Sequence, residues 1–175
     1  LLSYVETQNL LDELPNEHQK LVGEVVPNQI SVGGIQRVLQ NLLNERVSIR
    51  DLPTILEGIS EACAFTRNVT QLTEHVRSRL ARQISEQNST EDNFIPLVTL
   101  SAEWEQIFSD SILDQGEDKQ LSMAPSQLQR FIGAVRTTLD ELADKEDPPV
   151  VLTSPTARPF VRSIIERFRP TTSIM

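Results

Sequence analysis

One run of apolar residues constrains the fold of this chain more than any other feature. Its members recur at i, i+3, i+4, i+7 and i+8: Ile35, Val38, Leu39, Leu42 and Leu43. At 3.6 residues per turn, this spacing places all of them on one face of an α-helix. A helix with one apolar face buries that face against other elements. The first half of the chain is therefore expected to be a packed helical unit.

Neighbouring segments show the same helical spacing. Apolar residues before Pro15 and again before Pro27 indicate two short helices, each ended by a proline. A further helix is predicted from Leu72 to Ile84, where apolar residues recur every four positions.

Between the central stripe and that last helix, the apolar residues from Leu52 to Ile59 predict one more helix. Pro53 has to lie in its first turn, where a missing backbone N–H costs nothing. Asp51 is therefore a better N-cap than Ser48.

A polar segment from Ser85 to Asn93 is the best linker in the chain, and the pattern changes after it. The apolar run Phe94–Leu100 predicts a buried strand whose start tolerates a proline. Ser101 is predicted to cap the helix that follows. Ser126 and Gln129 have capping-box spacing and predict the start of another helix.

Two more strands are expected near the end of the chain, at Val150–Leu152 and from Ser173 onward. Between them, Ser154 and Pro155 predict the start of a helix. The fold class is therefore α+β: a helical subdomain over residues 1–88, followed by a small α/β subdomain over residues 89–175 with a short helix-covered sheet.

Charge argues against nucleic-acid binding, because 25 acidic residues outnumber 16 basic ones and the formal net charge is −9. The charge is also uneven. The chain is acidic from Glu86 to Asp118 without a basic residue, whereas Pro155–Met175 contains four arginines and one glutamate. Such asymmetry suits contact with another protein. The chain begins with Leu1, and we expect it to be part of a longer protein.

Catalytic, metal and cofactor sites are not predicted. His18 and His75 lie among charged residues without an identifiable nucleophile, and Cys63 has apolar neighbours that favour an inert thiol. The stretch Asp114–Asp118 has oxygen ligands without the spacing of a calcium loop, so we expect a polar loop there. Gly33 and its neighbouring glycine lack the spacing of a phosphate-binding loop.

An alternative function is a helix-turn-helix DNA-binding regulator, formed by the two helices between Ile35 and Ile59. The second of these helices carries Asp51, Glu57 and Glu61, which repel phosphate, so we rank this alternative second.

Two separate stretches closely resemble the FlhA (FHIPEP) family of export-gate proteins, which serve flagellar and virulence type III secretion. The first covers the central helix and its continuation, and the second covers the last strand–helix region. The matching segments are Ile35–Leu43, Val47–Leu52, Thr54–Glu57, Pro148–Pro155, Arg158–Arg162 and Ile165–Phe168. They occur in the family's order, and the similarity extends over nearly the whole chain.

The resemblance implies a non-enzymatic role without a cofactor, flagellar more than virulence-type. Family members have a membrane part and four cytoplasmic subdomains, and the chain resembles the third and a truncated fourth. It implies a homo-oligomeric ring, nonameric in known members, at the cytoplasmic face of the bacterial inner membrane. The partners implied are export substrates, substrate–chaperone complexes, the export ATPase complex and the switch protein that changes substrate class.

Ring contacts in the family involve the third subdomain, so charged residues of the helical subdomain are the candidates for a ring or partner interface. These residues are Arg37, Arg46, Arg50, Asp51 and Glu57. The competing interpretation is helix capping and pairing within the chain, which we favour for Asp51.

Overall fold

The computed structural model describes residues 1–116 and 118–175. These residues form a mixed α+β structure with two compact units, Leu1–Ile84 and Ser85–Met175. The division falls inside a helix and lies four residues before the expected boundary at residue 88. Each unit has its own core.

Unit 1, defined as Leu1–Ile84, is built from helices. Its elements are α1 (Tyr4–Asp12), α2 (Asn16–Val25), α3 (Val32–Asn44), α4 (Leu52–Ala62), α5 (Val69–Arg79) and the start of α6 (Ala81–Asn88). The single helix predicted from Leu72 to Ile84 is wrong, because α5 ends and α6 begins around Leu80. At Leu80 the backbone leaves the helical region, with φ −97° and ψ 14°.

The break between α5 and α6 preserves the apolar face that produced the prediction. Leu72, Val76, Leu80 and Ile84 are all buried. Period alone therefore could not reveal the break, since the same residues reach the core from two helices.

The core of unit 1 is centred on α3, whose stripe packs against α1 and α5. Ile35, Val38, Leu39 and Leu42 are fully buried. Leu43 differs from its expected burial, since 41% of it is exposed. It lies at the margin of the stripe, one residue before the end of α3.

Unit 2, defined as Ser85–Met175, combines helices with short strands. After the end of α6, its elements are β1 (Leu97–Thr99), α7 (Ala102–Ser111), β2 (Ile112–Gln115), β3 (Asp118–Leu121), α8 (Pro125–Leu142), β4 (Val150–Leu152) and α9 (Arg158–Ile165). Strands β1 and β4 are parallel, with Leu97 opposite Val150. The strand expected from Ser173 is a single parallel bridge between Ile174 and Val151.

Strands β2 and β3 form an antiparallel hairpin where we expected a polar loop. Gly116 lies in the turn with φ +70°, a conformation that side chains disfavour. Glu117, which belongs to the predicted loop, lies outside the described residues. The correction follows from Ile112 and Leu121, which face each other at the open end of the hairpin and make the segment a strand pair.

Two helix starts in unit 2 also differ from expectation. The predicted capping box at Ser126 and Gln129 is wrong, because α8 begins earlier, at Pro125, without a side-chain cap. Helix α9 begins at Arg158, after a turn in which the Ala157 N–H donates to Ser154 Oγ at 3.3 Å. The cap at Ser101 is confirmed, since its Oγ accepts from the Trp104 N–H at 3.2 Å.

Aromatic rings form the centre of the unit 2 core. Phe108 and Phe131 are buried and meet edge to face, with ring centroids 4.9 Å apart. Trp104 meets Phe131 in the same way at 5.2 Å. Val151 and Ile165 complete this core from β4 and α9.

Candidate protein-interaction surface

The N-terminus of α4 is fixed by Asp51, one of the predicted interface residues. Its Oδ1 accepts from the Thr54 N–H at 3.3 Å, and its Oδ2 accepts from the Thr54 hydroxyl at 2.7 Å. Pro53 occupies the first turn. The cap prediction is confirmed, and it provides Asp51 with a role inside the chain.

Glu57 belongs to a row of ion pairs between α4 and α5, which we name the α4–α5 charge cluster: Glu57, Glu61, His75 and Arg79. Arg79 lies 2.8 Å from Glu57 and 3.1 Å from Glu61, and His75 Nε2 lies 2.9 Å from the other Glu61 oxygen. The Glu57 side chain remains 50% exposed. Because the cluster lies at the surface, dissolved salt weakens its ion pairs.

Two neighbours within the cluster change the pKa of Glu61. The hydrogen bond from His75 lowers the pKa of the Glu61 carboxyl below its ordinary value, and the positive charge of Arg79 lowers it further. Phe65 packs edge-on against the His75 ring at 5.6 Å and is 66% exposed. The cluster and Phe65 beside it therefore bring together an arginine and an exposed aromatic ring, two residue types that are enriched in protein contacts.

Arg46 lies at the C-terminus of α3 in the left-handed region, with φ +60°. The Arg46 N–H donates to the Leu43 carbonyl at 2.9 Å, and the Val47 N–H donates to the Leu42 carbonyl at 2.9 Å. These two bonds form a Schellman motif, in which glycine is the usual residue at the position of Arg46. The side chain of Arg46 is exposed.

The other two predicted arginines are also exposed. Arg37 projects from the middle of α3, and its side chain pairs with no residue among those described. Arg50 lies in the segment between α3 and α4, where its backbone N–H donates to Ser48 Oγ at 3.3 Å. Three cations therefore lie on α3 and the segment that follows it.

Three residues of this surface could not be predicted from the sequence: Phe65, His75 and Arg79. In the sequence, His75 lies among charged residues without an identifiable nucleophile, and no pattern singles out Arg79. Their partners lie on α4, 14 and 22 residues away. These pairs can be identified only once it is known that α4 packs against α5.

Metal and DNA sites are not supported by the described residues. Across residues 1–116 and 118–175, no group of three or more His, Cys, Asp or Glu side chains could hold a metal ion. The exposed face of α4 presents Glu57 and Glu61, which repel a DNA backbone. Within the same described residues, no helix has both the length and the hydropathy to cross a membrane.

Relatives of this chain include proteins named for flagellar biosynthesis. "Flagellar biosynthesis protein FlhA" of Caulobacter vibrioides is 54% identical over 175 residues, which is 100% of this chain and 25% of that protein. The protein of the same name from Bacillus subtilis is 35% identical over 97% of this chain and 25% of its own length. The chain thus spans about a quarter of the length of these relatives.

Solved structures of similar proteins share the fold. The C-terminal domain of InvA has a TM-score of 0.89 at 29% identity and covers 99% of this chain, which spans 52% of it. CdsV in the Chlamydia pneumoniae CdsV and CdsO complex scores 0.87 at 28% identity over 100% of this chain and 51% of that one. Nonameric EPEC SctV-C scores 0.82 at 27% identity over 99% of this chain and 52% of that one.

A model of one protein family matches the whole chain. The FHIPEP family model matches residues 1–175, from the first helix to the last β-bridge. It includes both stretches whose resemblance was noted in the sequence. The chain belongs to the FHIPEP family.

Proposed function

We propose that this chain is part of a flagellar type III export gate and forms a ring with copies of itself. In that ring it docks export substrates, substrate–chaperone complexes, the export ATPase complex and the switch protein. The site of action is the cytoplasmic face of the bacterial inner membrane. The observation that carries the proposal is the family match over residues 1–175, together with 54% identity to a flagellar protein.

Two solved relatives support the ring and the docking role. EPEC SctV-C is nonameric, and its fold agrees with this chain at a TM-score of 0.82. CdsV was solved in complex with CdsO. We assign unit 1 to the third cytoplasmic subdomain of the family and unit 2 to the fourth.

The interface we propose consists of Arg37, Arg46, Arg50 and Glu57, whereas the assignment of Asp51 to it is weakened by its cap. Arg46 is the strongest member. A side chain at a left-handed position costs about 1 kcal/mol relative to glycine, and such strain is typical of functional positions. Arg37 adds an exposed cation that is not neutralised by a described residue.

A chimera tests the proposed function directly. Residues 1–175 replace the matching segment of the Caulobacter vibrioides relative, and swimming motility and flagellin export are measured. We expect motility to be restored above that of a strain lacking the segment. A stable chimera that reaches the membrane but exports no flagellin would refute the assignment.

Two substitutions in the chimera test the interface, with self-association read by chemical cross-linking. Arg46→Gly removes the side chain and also relieves the left-handed strain, so backbone strain cannot cause a loss of assembly. Arg37→Glu reverses an exposed charge, and Lys20→Glu is its matched control, since Lys20 is an exposed cation on α2. If both test variants assemble like the control, these positions lie outside the interface.

A further inference from the structure

Within residues 1–116 and 118–175, one edge of strand β1 is not paired with another strand. On β4, Val150 bonds to β1 through its N–H to the Pro96 carbonyl at 2.8 Å, whereas the next residue, Val151, bonds to Ser173 at 2.9 Å on the other side. Successive residues of a strand point their backbone groups to opposite neighbours. With Leu97 opposite Val150, the N–H and C=O groups of Leu97 and Thr99 point away from β4.

Among the described residues, β4 is the one strand paired with β1. The edge is also apolar and accessible. Leu97 is 47% exposed, and Phe94, just before the strand, is 71% exposed. Exposed edges of this kind are normally covered, because they pair readily with another strand.

Beside this strand lies an apolar groove of about 250 Å³, between β1 and α8. Val98 and Thr99 line it from the strand, Ala134, Val135 and Thr138 line it from the helix, and Trp104 lines it from α7. A free strand edge next to a groove walled by a helix is the arrangement by which some domains bind an extended peptide. The backbone pairs with the edge, and one side chain enters the groove.

The charge around the edge identifies the chemistry of the occupant. Residues 85–116 contain no Lys or Arg, and the exposed residues Glu91, Asp92 and Glu103 precede and follow β1 in the sequence. Helix α8 carries two cations: Arg130, whose guanidinium lies 5.6 Å above the Trp104 ring, and Arg136, which lies 5.0 Å from the Phe168 ring. An acidic strand edge favours a segment with basic flanks.

We propose that β1 binds an extended segment of a partner protein, which adds as a strand at Leu97 and Thr99 and inserts an apolar side chain beside Trp104. Basic residues flank that segment. The proposal goes beyond ring formation, since a ring can form whether or not this edge is covered.

The test uses the full chain and a synthetic peptide of alternating threonine and valine with a central leucine and lysine at both ends. Trp104 is the single tryptophan, so its fluorescence reports filling of the groove. We expect saturable binding with a blue shift, and at least about tenfold slower amide exchange at Leu97 and Thr99 by NMR. A peptide with two central prolines should not bind, and one with glutamate ends should bind at least about tenfold more weakly.

Variants separate the edge from the groove. Thr99→Pro removes an outward N–H at an edge, where proline is tolerated, and Thr99→Val is its control because it retains that N–H. Ala134→Lys places a long charged side chain in the groove, and Thr137→Lys adds the same charge to an exposed position of α8. We expect the Pro and Ala134 variants to weaken binding at least about tenfold and both controls to bind normally.

Several results would overturn the proposal. Absence of binding at about 1 mM peptide by the folded chain is one, and equal binding of the proline peptide is another. If exchange at Leu97 and Thr99 slows only with rising concentration of the chain itself, the occupant is a second copy and the proposed partner segment is wrong. If Thr99→Pro fails to fold, amide exchange at Leu97 and Thr99 in the unsubstituted chain still tests whether the peptide binds at β1.

Discussion

Replacing Asp51 with alanine is expected to destabilise unit 1 through loss of a helix cap. The substitution removes the acceptors of both the Thr54 N–H, at 3.3 Å, and the Thr54 hydroxyl, at 2.7 Å. It also removes a negative charge from the N-terminus of α4, where the helix dipole favours it. The buried face of α4 is left unchanged, including Ile55 and Leu56.

The expected loss can be estimated from these two effects. Loss of an N-cap side chain costs about 1 kcal/mol, and a charge near a helix N-terminus contributes about 0.3–1 kcal/mol. Asp51 is exposed, so we take the lower half of the second range. The free energy of unfolding of unit 1 should fall by about 1.5 kcal/mol, which corresponds to a decrease in its Tm of about 6–12 °C for a unit of 84 residues.

Urea and thermal unfolding followed by far-UV circular dichroism measure this change, because unit 1 is built from helices. Trp104 fluorescence reports unit 2 separately. Asp51→Asn is the matched control, since asparagine caps about as well as aspartate without the charge. It should retain most of the stability and show a smaller dependence on salt.

A different pattern would refute the capping interpretation. If Asp51→Ala has the Tm of the unsubstituted chain and yet weakens self-association, Asp51 acts in an interface. If Asp51→Asn is as unstable as Asp51→Ala, the charge matters and the capping bond does not.

Three further predictions concern other contacts. Arg158→Ala should cost about 2–3 kcal/mol in urea unfolding, because buried Arg158 donates from Nη1 to the Ile174 carbonyl at 2.7 Å; an unchanged midpoint would refute this. The hydrogen bond from His75 lowers the pKa of Glu61 from 4.5 in the folded chain. The ionised Glu61 therefore stabilises the fold above pH 4.5, and this stabilisation is lost as the pH falls through the lower pKa of the folded chain. Glu61→Gln should have a lower Tm than the unsubstituted chain at pH 6, and the difference in Tm should vanish in acid. Phe131→Ala should cost about 3–5 kcal/mol and shift tryptophan emission to the red, whereas Phe131→Leu should cost less.

Features set by neighbouring residues could be predicted from the sequence. The stripe from Ile35 to Leu42 is buried, and the caps at Asp51 and Ser101 are confirmed, because each depends on a spacing of a few residues. Strand β4 is likewise found at Val150–Leu152.

Features that depend on distant contacts could not be predicted. The hairpin of β2 and β3 is polar over most of its length, so its pairing is not visible as an apolar run. Leu80 ends α5 although the four-residue period continues through it. The order of strands in the sheet, with β1 beside β4, joins residues more than 50 positions apart.

In the candidate interface, too, the sequence shows the local charges but not their distant partners. From the sequence, Glu57 and Glu61 make the outer face of α4 acidic, but Arg79 on α5 lies between them and offsets part of that charge. A partner that binds Glu57 on α4 therefore has to break the ion pair between Glu57 and Arg79. The free energy lost with that pair offsets part of the free energy gained from the new contact. Arg37 has no such cost, since its side chain pairs with no described residue. Arg37 is thus better suited than Glu57 to a new ion pair across the proposed ring.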